Sequence, residues 1–428
     1  MSIKAVHTVR INSPLNRLLH YGNSQDYCAF FITSPHDFKA AIGAKRFIEI
    51  TETRNAFTKL EEFQKQSNTA IAGFLGYDLK NDLEVLSSQN HDSLEFPQAA
   101  FFEPEVWVYF ENEVLKVEAE NDALLEELLT ALDAEPAEHK PNASDLNLKP
   151  LTSREEYISN ANSILKHLQR GDIYEANYCI QFYGEAIDFD PVLQFLNLLE
   201  LTKAPFSVFS KLDEKYVLSA SPERYLKNSG GDLISQPIKG TIKRSEDAAA
   251  DKLLMDQLRN DPKEQSENVM IVDLVRNDLS RVASRNSVHV KELFGVGTFK
   301  TVHHLVSTVA AQLNTDKYNH WDAIKATFPM GSMTGAPKIS AMKIIEAHES
   351  FKRGAYSGAF GWISPSGDFD FNVLIRTILH NHATHKLAFS VGSAITIKAI
   401  PEKEYEECLL KAEALINTLK KAVANELA

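Results

Sequence analysis

Cysteine is scarce in this chain. Its three cysteines, Cys28, Cys179 and Cys408, are odd in number and far apart. That excludes a disulfide framework, shows no metal-type spacing, and points to a reducing compartment. Long apolar runs are also missing, so no membrane span is expected. Met1 to Arg10 lacks the charged-then-apolar pattern of a secretion signal, and a cytoplasmic protein is the expectation. Positive charge is in deficit: 45 Lys and Arg stand against 58 Asp and Glu, for a net charge of −13. A general nucleic-acid binder would show a basic surface, so no nucleic-acid partner is expected. Any anionic ligand must instead be met by a few local cations or a metal. Internal repeats are absent. The glycine-rich stretch Gly331-Ser332-Met333-Thr334-Gly335-Ala336-Pro337-Lys338 lacks the Gly-Lys-Ser/Thr ending of a nucleotide loop, which argues against ATP.

What is present is the composition of a globular protein, 428 residues long with 44% apolar and 24% charged residues. Residues 133–150 carry Pro136, Pro141 and Pro150 among acidic and small polar residues without periodicity. They read as a linker between an N-terminal segment, 1–132, and a region spanning 151–428. Leucines at 124, 125, 128, 129 and 132 mark one helix face. Ile71–Leu79, Val106–Val117, Ile173–Tyr183 and Tyr216–Leu218 read as strands. Ser153 and Glu156 form a capping pattern before the stripe Tyr157, Ile158, Ala161, Ile164, Leu165 and Leu168, which stops at Gly171. Strands and helices mix without β-α alternation, which predicts an α+β layered fold.

Several residues carry possible chemistry. Lys239 sits in Gln236-Pro237-Ile238-Lys239-Gly240-Thr241, on a backbone stiffened by proline and opened by glycine. An amine placed there is a buried cation, an anion clamp or a covalent nucleophile. Asp261-Pro262-Lys263-Glu264 reads as a helix start, with Asp261 as cap and Glu264 as its box partner. Glu267 follows on the face of Met270, Ile271 and Leu274, where an unpaired carboxylate is expensive. Glu404 and Glu407 repeat the spacing of three and open a helix through Leu409, Leu415, Ile416 and Leu419. Each pair alone fits a helix's first turn. Together they would suit a hard divalent ion such as Mg²⁺. Glu223 and His304 are acid–base candidates, Arg376 suits a carboxylate, and the turn running into Lys338 offers N–H groups to an anion.

In order, the motifs are Gly-Asp-Ile-Tyr (171–174), Ser-Pro-Glu-Arg (221–224), Pro-Ile-Lys-Gly-Thr (237–241) and Asp-Pro-Lys-Glu to Arg-Asn-Asp (261–278). His-His-Leu-Val-Ser (303–307), Gly-Ser-Met-Thr-Gly-Ala-Pro-Lys (331–338), Tyr-Ser-Gly-Ala-Phe-Gly (356–361), Ile-Arg-Thr (375–377) and Glu-Tyr-Glu-Glu (404–407) follow. This order resembles the chorismate-utilising enzymes. The resemblance implies one large sandwich of two packed, mainly antiparallel sheets with outer helices, to which residues 1–132 contribute. Within that family, lysine at position 239 resembles the members that make aminodeoxychorismate, where anthranilate-forming members have alanine. It implies attack by Lys239 on C2 of chorismate, then replacement of the lysine by ammonia entering at C4. Glu223 is the implied acid and His304 lies beside the ring. Glu267 and Glu407 hold Mg²⁺, supported by Glu264 and Glu404. Tyr356 and Arg376 hold the enolpyruvyl carboxylate, and Thr241, Lys338 and Gly392 complete the implied substrate contacts. Proximity to Mg²⁺ and burial are expected to lower the Lys239 pKa.

Glu175 stands where aminating members often carry Gln and water-using members a Lys base. It is expected to act on the incoming nucleophile and not on Lys239, and it keeps isochorismate formation open, as anthranilate formation also stays open. Gly392-Ser393-Ala394 replaces a more glycine-rich turn. No Gly-x-Cys-x-Gly nucleophile turn surrounds any cysteine, so ammonia is expected from solution or from a separate glutamine amidotransferase subunit.

Overall fold

The computed structural model describes residues 5–12, 14–134, 146, 148–300 and 302–424. Two antiparallel sheets form, one of 12 strands and one of 10, with eleven α-helices among the described residues. The expected α+β sandwich is the fold observed. Most of the stretch read as a linker, including Pro136 and Pro141, lies outside the described residues, while Lys149–Pro150 pairs with the strand Glu175–Glu185.

The strand Tyr27–Ser34 shows why the layers form. Cys28, Phe30 and Ile32 point to one face, and Tyr27, Ala29 and Phe31 to the other. Alternation sends successive side chains to opposite faces, and here both faces are apolar because both are covered. One face packs on the second sheet, through Phe74, Leu226 and Phe371. The other packs on helices Leu15–Ser24, Arg154–Arg170, Pro191–Thr202 and Pro401–Ala424, through Leu18, Tyr157, Phe195 and Leu415.

Both sheets mix early and late chain. In the larger, Tyr27–Ser34 pairs with Phe206–Leu212, and in the smaller, Ile71–Leu75 pairs with Ala359–Ile363. Helix Arg154–Arg170 starts where expected: the Ser153 side chain accepts from the Glu156 amide, and Gly171 closes it at φ 80°. Residues 106–117 are not one strand. Val106–Glu111 and Val114–Ala119 form a hairpin about Asn112 and Glu113, with φ of 50° and 63°. Two left-handed residues match the twist of a tight hairpin, but the turn lacks the usual glycine signal. Ile71–Leu79 likewise stops as a strand at Leu75 and tightens into a 3₁₀ turn at Tyr77–Leu79.

Candidate active site between the sheets

Lys239 is aimed by a bulge. In the strand Ile238–Lys243, Ile238 pairs with Val306 and Thr241 with His304, so Lys239 and Gly240 together oppose Leu305 alone. An extra residue bends a strand and re-aims its side chains. Gly240 takes φ 90°, and a Cβ there would stand 2.8 Å from Glu264 Oε2. The Lys239 ammonium crosses to the other sheet and donates to Glu175 Oε1 at 2.5 Å. Lys239 is 9% exposed and Glu175 1%. Burial by itself would lower the lysine's pKa. The Glu175 carboxylate, then Glu267, then Glu407, outweigh that and hold it above the ordinary lysine range. The expected lowering is therefore reversed in the protein alone, because carboxylates surround the amine from several elements. The contact also corrects the expectation that Glu175 does not touch the lysine.

A second bridge between the sheets runs from Arg376 to His304. Arg376 Nη2 donates to His304 Nε2 at 3.0 Å, and Thr241 Oγ1 lies 2.9 Å from His304 Nδ1. Arginine only donates, so Nε2 carries no proton and Nδ1 does. Burial first, then the Arg376 charge, keeps His304 well below the usual histidine range, hence neutral. Arg376 itself adopts φ 51°, an uncommon conformation for a side-chain-bearing residue. No carboxylate pairs with it among the described residues, and burial alone lowers its pKa to about 10.

The carboxylates gather around helix Pro262–Ser280. Asp261 caps it by accepting from the Lys263 and Glu264 amides. Burial raises Glu267 to about 7, and its Oε1 is buried with no hydrogen-bond partner among the described residues. Lys263 Nζ lies 3.8 Å from Glu267 Oε1 and 3.8 Å from Glu404 Oε1. Burial also raises Glu264 and Glu404. For Glu407 burial is outweighed by Lys411, which donates at 2.8 Å both to it and to the Gly392 carbonyl. These acids fit a hard cation in donor chemistry, and the orphaned Glu267 oxygen is the kind of atom such an ion satisfies. Among the described residues, no three of the acids already stand together at coordinating distance. Lys263 and Lys411 lie among them instead. Neither lysine was singled out by its motif, since each reads as an ordinary helix-surface charge.

Glu223, on the turn before the strand Arg224–Ser229, is raised by burial to about 7, with Ser332, Lys239 and the Ile238 amide opposing. Two expected residues sit apart. The Tyr356 hydroxyl lies 3.7 Å from Cys179 Sγ, and no hydrogen bond joins it to Arg376 among the described residues. Lys338 donates to Asp278 Oδ2 at 2.5 Å and to the Thr327 carbonyl at 3.1 Å, an anchor for its helix and not a free cation. A separate cavity of about 310 Å³ contains none of these groups. It is lined by Phe31, Lys39, Pro205, Arg224, Trp362 and Asp370 among others.

The model of the chorismate binding enzyme family matches residues 16–417. The chain belongs to that family. It is 37% identical to aminodeoxychorismate synthase component 1 of Klebsiella aerogenes, over 81% of this chain and 76% of that protein. Aminodeoxychorismate synthase of Arabidopsis thaliana is 39% identical over 64% of this chain, a region that makes up only 30% of the plant protein. Among solved structures, anthranilate synthase component I of Streptococcus pneumoniae superposes with a TM-score of 0.77 at 26% identity, over 92% of both chains. The resemblance read from the motifs is thus borne out at the level of family and fold. No helix among the described residues is long and apolar enough to cross a membrane.

Seen as a member of the chorismate-binding enzymes, the site brings together a lysine amine, a carboxyl that keeps its proton near neutrality, and an unpaired guanidinium. A bed of carboxylates faces them. That set can bind an anion and give a proton to an oxygen, and its lysine becomes a nucleophile once it has lost a proton.

Proposed function

We propose that the chain is an aminodeoxychorismate synthase component that converts chorismate and ammonia to 4-amino-4-deoxychorismate, for 4-aminobenzoate and folate synthesis. The carrying observation is the Lys239 amine, buried between the sheets and flanked by a carboxyl raised to about 7. In the first half-reaction the free amine of Lys239 bonds to C2 of chorismate. Both ring double bonds shift, round the ring from C2 toward C4, and the C4–O bond breaks. Glu223 gives its proton to the departing oxygen, which leaves as water. In the second half ammonia bonds to C4 and the C2–N bond to lysine breaks.

Arg376 binds a substrate carboxylate, which relieves its unpaired burial. His304, neutral and fixed by Thr241, sets the direction of that guanidinium. Glu267 and Glu407 would hold Mg²⁺, with Glu264 and Glu404 in support. A bound Mg²⁺ would supply positive charge to the ring carboxylate. The component 1 designation of the Klebsiella relative supports a separate glutamine-hydrolysing subunit as the ammonia source. Three unpaired, buried cysteines support a reducing, cytoplasmic setting.

The test is product identity. The chain is incubated with chorismate, Mg²⁺ and ammonium, and products are resolved by chromatography and mass spectrometry. 4-Amino-4-deoxychorismate is expected. Anthranilate or isochorismate as the main product overturns the proposal.

A further inference from the structure

Lys239 poses a chemical problem that the reaction just proposed leaves unsolved. Its 2.5 Å contact with the Glu175 carboxylate is that of an ammonium, and an ammonium has no lone pair with which to attack carbon. A proton must leave before the C–N bond forms. Among the described residues, Glu175 is the only side chain hydrogen-bonded to Nζ.

Its position is built. Glu175 opens the strand Glu175–Glu185 and is clamped on both sides, paired with Thr396 and with Ala336. Gly335 makes the second clamp possible: it takes φ 151°, and a Cβ there would stand 2.1 Å from the Glu175 carbonyl oxygen. The bulge fixes the lysine on the opposite sheet. Donor and acceptor are thus held by two frameworks at 2.5 Å. The second carboxylate oxygen, Oε2, is buried and has no hydrogen-bond partner among the described residues. A purely structural ion pair would be expected to satisfy both oxygens.

We infer that Glu175 is the proton acceptor and donor for Lys239, taking a proton from Nζ as the amine attacks and returning it when the amine departs. The inference rests on the covalent reading proposed above. Its atoms balance over the cycle. Transfer from ammonium to carboxylate turns two buried charges into a neutral amine and a neutral acid, a change that exclusion of water by substrate favours. The amine then bonds to C2, the C4–O bond breaks and Glu223 supplies the proton that makes water. Ammonia bonds to C4, the C2–N bond breaks, and the lysine nitrogen recovers its proton from Glu175. The new C4 ammonium gives its surplus proton to the Glu223 carboxylate, and both acids are reset.

The test follows the first half alone. Enzyme, chorismate and Mg²⁺ are mixed without ammonia, and the adduct on the Lys239 peptide is followed by mass spectrometry. Glu175→Gln should slow adduct formation by about 10²–10⁴-fold, the usual range for general acid–base catalysis, with chorismate binding little changed. Glu175→Asp keeps a carboxylate and should recover at least about tenfold of that loss. Adduct formation in Glu175→Gln as fast as in the wild type overturns the inference. So does an Asp variant no better than Gln, with binding weakened equally in both, since that marks a packing role. Failure of the covalent reading looks different: the wild type forms product but no adduct, and Lys239→Ala keeps the full rate. If Glu175→Gln does not fold, Glu175→Met, which also removes the carboxylate, takes its place and is read against the same outcomes.

Discussion

Replacing Arg376 with Met should make the protein more stable and nearly inactive. The guanidinium is half-buried, with His304 as its side-chain partner and no acid opposite among the described residues. Burial alone depresses it to about 10, and at about 1.4 kcal/mol per unit that corresponds to roughly 3 kcal/mol of desolvation. Met removes this penalty while filling much of the same volume. The change loses the hydrogen bond to His304, worth about 1 kcal/mol. The net expectation is about 1–2 kcal/mol of added stability, read as a thermal midpoint a few degrees higher. Binding should move the other way. A charge-assisted carboxylate contact whose partner is truncated loses about 2–5 kcal/mol, or roughly 30- to several-thousand-fold in chorismate affinity. Chorismate should raise the wild-type midpoint by mass action and leave the variant's unchanged. Melting curves with and without chorismate, together with steady-state kinetics, check both halves. A variant that is less stable and still binds chorismate normally would show that Arg376 is a packing residue.

Glu223, raised to about 7 by burial, should hold its proton at pH 6 and lose it above 7. The ammonia-independent adduct rate should therefore fall about tenfold per pH unit above 7, and a rate that climbs through pH 8 contradicts its role as acid. Glu223 and Glu267 are both raised in the folded state, so the stability linked to them is fully present below the unfolded value near 4.5 and is lost as pH rises through 7. Urea midpoints at pH 5 and pH 8 should differ in that sense, and less so in Glu223→Gln. Glu267→Gln and Glu407→Gln should lose most activity and need more Mg²⁺, whereas Glu264→Gln should be milder; equal small effects in all three would mark ordinary helix-start acids. Removing the ammonium that lies between Glu267 and Glu404, by Lys263→Gln, should lower the Mg²⁺ concentration for half-maximal activity, measured by titration. The purified chain should use ammonia but not glutamine, and glutamine-dependent amination without a second protein would refute that.

The sequence showed local features well and cross-sheet contacts poorly. Ser153, Asp261 and Gly171 announce helix ends because caps depend on a few adjacent residues. The stripe from Tyr157 to Leu168 names a buried face because the helix repeat is local. The hairpin at Asn112-Glu113 hid because residues other than glycine occupy its left-handed positions. The motif order located Lys239, Glu267 and Arg376 along the chain. It could not show that Lys239 meets Glu175, because a bulge in one sheet and the first residue of a strand in the other make that contact. Nor could it show that Lys338 is held by Asp278, since the pairing depends on two helices meeting. Lys263 fell inside a recognised motif, yet its place between Glu267 and Glu404 depends on where the last helix docks.

The interleaving of early and late chain also bears on how the protein is made. Ile71–Leu75 pairs early with Ala99–Glu103, but its other edge stays open until Ala359–Ile363 has been synthesised, and one edge of Tyr27–Ser34, already paired with Asp37–Ile42, waits for Phe206–Leu212. At about 5–20 residues per second, the first of these waits lasts roughly a quarter of a minute to a minute. During it, the far edge of Ile71–Leu75 is open, and apolar strands such as Ala99–Glu103, though flanked by Arg46–Ile50 and Ile71–Leu75, lack the late-chain residues that later pack on them. Exposed strand edges of this kind pair readily with other chains. The nascent polypeptide is therefore a natural client for chaperones that shield extended apolar segments. Slowing its translation should lower the soluble yield, the opposite of what slower synthesis does for chains whose domains finish in sequence.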